Sequence, residues 1–206
     1  MAKTVSPDLR QYIEENILPR YNEFDKAHRQ DHARTVISQS LSLADSMDVN
    51  TDMVYAIAAY HDTGLCDGRE QHHKASARII REDKELRQWF TEEQISVMAD
   101  AAEDHRASAG HEPRTVYGRI VAEADRCIDP LTIIRRTIQY GHDHYPEMDR
   151  EEHFRRMQKH LHEKYGRNGY LKLWFPDSQN AIRLEELRNM MDNETLLRDL
   201  FDKLSQ

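Results

Sequence analysis

Eight apolar residues in a row, Met53-Val54-Tyr55-Ala56-Ile57-Ala58-Ala59-Tyr60, run directly into a histidine and an aspartate, His61 and Asp62. Eight residues cannot span a bilayer, which needs ~20. As a helix the run is apolar on every side and must be buried. Thr51 or Asp52 supplies its N-cap. Two polar, ionisable groups therefore end a buried helix, and burying them without a partner is costly. A bound cation satisfies both.

The rest of the chain reads with helical period, and β-branched alternation is nearly absent. With 7 glycines and 6 prolines in 206 residues, breaks are few. Helices are expected over about Pro7–Leu18, ended by Pro19, and from about Asp25 or Asp31 to Met47, with Val36, Ile37, Leu41, Leu43 and Ala44 apolar. Another covers about Gln71–Glu82, after a loop Thr63–Gly68. Thr91 with Gln94 fits a capping box, and Phe90 against Ile95 a hydrophobic staple, for a helix reaching about Arg106. The next runs from about Thr115 to Cys127 and is stopped by Pro130. Helices near Leu131–Tyr140, Arg150–Tyr165, Ser178–Met191 and Glu194–Leu204 follow, with Gly166–Tyr170 as a turn. The expected class is all-α, a helical bundle. Composition shifts at Pro130 from Ala, Ile and Val towards Arg, Glu and His. Residues 1–130 are accordingly read as the core, and 131–206 as a helical extension packed on it.

The formal charge of −8 disfavours a nucleic-acid polymer, which needs a basic face. No basic amphipathic stripe suits a membrane surface, and residues 1–10 lack a signal-peptide core. Cys66 and Cys127 do not make a disulfide framework, so a cytoplasmic location with reduced thiols is expected. A two-fold homodimer through residues 131–206 is the base-rate expectation.

Two further groups join His61 and Asp62. Asp125 shares the buried face of its helix with Val121, four residues before it, and Ile128, three after. A lone carboxylate there needs a cation or several hydrogen bonds. His32 precedes the apolar face continued by Val36. Three helices thus each place a metal-competent group inward. Imidazole and carboxylate suit zinc, iron, manganese, cobalt or magnesium.

The order His32, His61-Asp62, Asp125 resembles that of the HD-domain superfamily of metal-dependent phosphohydrolases, over about residues 25–130. Tyr60-His61-Asp62-Thr63-Gly64 is similar to the family's signature segment, and Ile120–Arg126 to the segment carrying its last ligand. A free-standing, bacterial-type member is implied. In that family the four residues bind one metal, and the Asp of the pair can bridge to a second. Members with two metals add a histidine on each of two intervening helices. His72, four residues before Ser76, resembles the first, with His73 as the alternative; His105 resembles the second. The chain departs from many members by having no Lys after the His-Asp pair, so Asp67 and Glu70 become the candidate acid and base. Arg69, Lys74, Arg106 and Arg126 adjoin the proposed ligands and are candidates for holding phosphate.

The resemblance implies one or two divalent ions per chain and hydrolysis, by metal-activated water, of a small phosphorylated metabolite such as a nucleotide. The reaction would be that of a phosphomonoesterase or phosphodiesterase. Two alternatives share the ligand set: an HD-type di-iron oxygenase, and a non-enzymatic nucleotide-binding regulatory module. A second His-Asp pair, His142-Asp143, lies in Gly141–His144, which is read as a polar surface loop after a helix break.

Overall fold

A computed structural model describes residues 4–24, 30–108 and 110–205. Among these there are ten α-helices and no strand, so the chain is all-α. None of the helices is long and apolar enough to cross a membrane. Two compact units divide after Arg126: Met1–Arg126 and Cys127–Gln206.

The first unit holds α1 (Pro7–Asn16), α2 (Gln30–Ala44), α3 (Thr51–Tyr60), α4 (His72–Glu82), α5 (Glu92–Asp104) and α6 (Val116–Asp125). Among the described residues the 3-10 turns Leu18–Glu23, Thr63–Asp67 and Lys84–Gln88 lie between them. The apolar run is α3, and all eight of its residues Met53–Tyr60 are buried. It packs against α1, α2, α5 and α6, which is why its sequence has no polar face.

Several boundaries differ from the sequence reading for local reasons. The N-cap of α3 is Asn50, not Thr51 or Asp52: its side-chain oxygen accepts from the backbone N–H of Asp52 at 2.9 Å and of Met53 at 3.2 Å. The Asp52 carboxylate is taken instead by Ser6, whose backbone N–H donates to it at 2.8 Å. Pro19 does not simply end α1. It sits at the start of the Leu18–Glu23 turn, where a missing N–H is tolerated. The Asp25 start considered for α2 lies outside the described residues, and its end comes at Ala44. The capping box at Thr91 and Gln94 is present, and Phe90 and Ile95 are both buried.

The second unit holds α7 (Pro130–His144), α8 (Arg150–Tyr165), α9 (Gln179–Asp192) and α10 (Glu194–Leu204). On α7 the buried Ile134, Thr137, Ile138 and Gly141 recur with helical period. They close on a core that includes Phe154, Met157, Leu187 and Phe201, with the Phe154 and Phe201 rings edge-on at 5.4 Å. Gly141–His144 is not a loop after a break but the last turn of α7. Gly141 serves packing there: a Cβ would stand 2.6 Å from the Arg156 guanidinium. Pro130 stops nothing; it opens α7 behind the Asp129 cap. The Gly166–Tyr170 turn folds back on α8, with the Tyr170 N–H on the Glu163 carbonyl at 3.1 Å.

Candidate metal centre

The centre begins at the C-terminal end of α3, where the last carbonyls of any helix lack intrahelical donors. Three side chains supply them. His61 Nδ1–H donates to the Ala58 carbonyl at 2.8 Å, the Tyr21 hydroxyl to that of Ala59 at 2.9 Å, and the Thr63 hydroxyl to that of Tyr60 at 2.7 Å. Tyr21 also accepts the Asp62 N–H at 3.3 Å. The His-Asp pair is thereby fixed by the helix end that precedes it.

Two other histidines use the same local device. His72 Nδ1–H donates to the Arg69 carbonyl at 2.8 Å and His105 Nδ1–H to the Ala102 carbonyl at 2.6 Å. A carbonyl only accepts, so each Nδ1 carries the proton and each Nε2 presents a lone pair. Those lone pairs converge: His61 Nε2 lies 3.3 Å from His32 Nε2, and His72 Nε2 lies 3.2 Å from His105 Nε2. Ring nitrogens held this close are stabilised by a proton or a metal ion between them.

The donors form two groups. In the first, His32 Nε2 is 3.2 Å from Asp125 Oδ1 and 3.7 Å from Asp62 Oδ2, while His61 Nε2 is 3.3 Å from Asp62 Oδ2 and 3.7 Å from Asp125 Oδ1. In the second, Asp62 Oδ1 is 3.3 Å from His72 Nε2 and 3.4 Å from His105 Nε2. Ligands ~2.0–2.2 Å from an ion at tetrahedral or octahedral angles stand ~2.8–3.6 Å apart. The separations of 3.2–3.4 Å fall in that range and the two of 3.7 Å just above it, so both groups could hold a metal ion. Asp62 gives one oxygen to each.

Charge is balanced here between few groups. Burial raises the Asp62 and Asp125 carboxyls, but the surrounding histidines outweigh it and hold both below the usual carboxylate range. Burial lowers His61 and His105, yet Asp62 with Asp125 carries both above the usual imidazole value. His72 stays below it, through burial and the charge of His105. The carboxylates thus draw positive charge to the place a metal ion would occupy.

Residues 29–128 match the family model of the HD domain. The chain carries an HD domain there. No curated protein and no solved structure matches it.

A cleft of about 190 Å³ opens beside this HD centre, with Asp62, His72, His105 and Asp125 in its wall. Arg69 and Arg106 are in the wall too, with Leu65 and Ala107. Arg106 donates to the Glu70 carbonyl at 2.5 Å, tying the loop after α5 to the segment before α4. The other candidates fall elsewhere. Asp67 is exposed and held by Arg78 at 2.5 Å, and exposed Glu70 offers Arg106 only its backbone. Neither carboxylate is in the cleft wall, so the acid and base expected of them are not placed for that work. Lys74 is exposed, off the α4 face that buries Ala75, Ser76 and Ala77. The Arg126 side chain is only 5% exposed; it donates to the His105 carbonyl at 2.9 Å and stands 3.6 Å from Asp125 Oδ2, a brace between the two donor groups. His73, the alternative to His72, belongs to neither group, and its ring stands edge-on to that of His72 at 5.6 Å.

Sequence reasoning did not find three supports. Gly64 lets the Thr63–Asp67 turn touch α4: its N–H donates to Ser76 Oγ at 2.9 Å, and a Cβ would lie 2.1 Å from the His72 carbonyl oxygen. Asp104, buried next to His105, accepts the Arg114 N–H at 2.7 Å and its guanidinium at 2.8 Å. Tyr21 comes from a segment with no motif. Only the Gly64–Ser76 contact had a signal, the glycine after the His-Asp pair.

Proposed function

We propose that this HD protein is a metal-dependent phosphohydrolase acting on a small phosphorylated metabolite. The observation that supports it best is the split carboxylate of Asp62, with one oxygen toward each donor group and both groups at coordination distance. His32, His61, Asp62 and Asp125 would hold one ion, and Asp62, His72 and His105 a second. Bound there, such ions supply Lewis acidity and lower the pKa of water. The chain's own residues do the rest. The Nδ1–carbonyl bonds aim each Nε2 inward, Arg126 holds the Asp125 and His105 ends together, and Arg69 and Arg106 draw the anion to the wall.

The test is phosphate release from a panel of phosphate esters by the manganese-loaded protein, with Asp62→Asn as control. Hydrolysis by the native protein and its loss in the variant support the proposal. A fully loaded native protein that releases no phosphate refutes it. One observation favours a second reading. Asp62, His72 and His105 make a two-histidine, one-carboxylate face, the donor set of non-haem iron oxygenases. Oxygen uptake by the iron-loaded protein on turnover would select that reading.

A further inference from the structure

The substrate's size and charge can be read from the cleft wall, granted the phosphohydrolase reading. Two arginines, Arg69 and Arg106, share the wall with the Asp62–His72–His105 donor face. They come from separate segments, and the bond from Arg106 to the Glu70 carbonyl, one residue beyond Arg69, holds those segments together. The anion-seeking groups are therefore fixed locally in a chain whose formal charge is −8, where the overall field repels anions. Two guanidiniums suit a group with several terminal oxygens and about two negative charges, which a phosphomonoester carries near neutrality. A diester has one charge and two terminal oxygens.

The carbon part is bounded by the same wall. At about 190 Å³ the cleft is smaller than the ~300–1,000 Å³ pockets that enclose drug-sized ligands, a class to which nucleoside monophosphates belong. Among the described residues the neutral members of the wall are Leu65 and Ala107, which offer aliphatic contact and no side-chain hydrogen bond to a base edge. We infer that the substrate is a small non-nucleotide phosphomonoester, its phosphoryl group between the donor face and Arg69 with Arg106, its short carbon stem against Leu65 and Ala107. In the reaction water gives its oxygen to phosphorus, the ester P–O bond breaks, and a proton passes to the leaving oxygen, yielding an alcohol and inorganic phosphate.

The experiment has two arms on the full chain. In the first, the manganese-loaded protein is given glycerol 3-phosphate, adenosine monophosphate and bis-p-nitrophenyl phosphate separately, and hydrolysis is followed for each. A kcat/KM for glycerol 3-phosphate at least about tenfold above the others supports the inference, a margin of ~1.4 kcal/mol. Preference for the nucleotide or the diester overturns it and leaves the phosphohydrolase reading standing. Hydrolysis of none overturns both. In the second arm, inorganic phosphate is titrated calorimetrically into native, Arg69→Ala and Arg106→Lys proteins. Loss of one charge-assisted contact should weaken phosphate about tenfold or more in Arg69→Ala. Arg106→Lys keeps the charge but loses the planar fork, so a smaller loss is expected. Native affinity in both variants overturns the placement.

Discussion

Gly64→Ala isolates the link between the His-Asp turn and the second donor group. The new Cβ would lie 2.1 Å from the His72 carbonyl oxygen, 2.4 Å from the Ser76 nitrogen and 2.7 Å from the Ala75 Cβ. Two of the three are backbone atoms of α4 and the third is the Ala75 methyl, and none is the flexible end of a long side chain. Lifting the closest contact to 3.0 Å needs a shift of roughly 1 Å in a close-packed region. His72 is the first residue of α4, so its ring moves with the backbone. Metal–ligand distances tolerate only about ±0.2 Å, and a 1 Å misplacement costs about 10²-fold in rate. Overpacking adds ~1–3 kcal/mol of destabilisation. The expected result is a folded variant with a lower melting temperature that loses the second ion and keeps the first, read by elemental analysis per chain. Ser76→Ala, which removes only the hydroxyl bonded to Gly64 N–H, should cost about 1 kcal/mol and keep both ions. A Gly64→Ala protein with native stability, ion content and activity would refute the argument.

Two other outcomes follow from the site. Arg114→Ala removes the guanidinium that donates to the buried Asp104 and keeps the backbone N–H bond; with Arg114 itself 44% exposed, screening reduces the cost of a broken buried pair to ~1–3 kcal/mol, measured by urea denaturation. The pH dependence of the metal-free protein has a defined sign. Asp62 and Asp125, shifted down, lend stability above the ordinary carboxylate value that is lost as pH falls through their depressed values; His61 and His105, shifted up, lend stability below the ordinary imidazole value that is lost as pH rises through theirs. His72, shifted down, opposes the histidine effect as a single group against two. Without metal the melting temperature should therefore peak between about pH 4 and 6.5, and manganese should move the peak above pH 7 by replacing those protons. A metal-free maximum above pH 8 would contradict this.

What the sequence made legible follows from how local each cause is. Capping is local, so Thr91 with Gln94 and the α10 span could be read directly. The burial of Met53–Tyr60 needed only its composition. The donors His32, His61, Asp62, His72, His105 and Asp125, which the structure brings together, could be named because order along the chain and one family resemblance sufficed. The misreadings came from partners distant in sequence. Gly141 reads as a breaker until Arg156, fifteen residues on, takes the space of its missing Cβ. Asp67 reads as an acid until Arg78 is found holding it at the surface. Arg126 reads as a phosphate candidate from its place beside Asp125; its bond to the His105 carbonyl, twenty-one residues earlier, cannot be read from the sequence. Tyr21 could not be read at all: its role depends on Ala59 and Asp62, some forty residues away.

The most direct test of the central claim is the metal content of the full chain, purified without added metal and then equilibrated with manganese, iron or zinc. The account predicts two ions per native chain, one per chain in His72→Ala, and none retained tightly in Asp62→Asn, because Asp62, alone among the described residues, belongs to both donor groups. A native chain that takes up no ion under any of these conditions would contradict it.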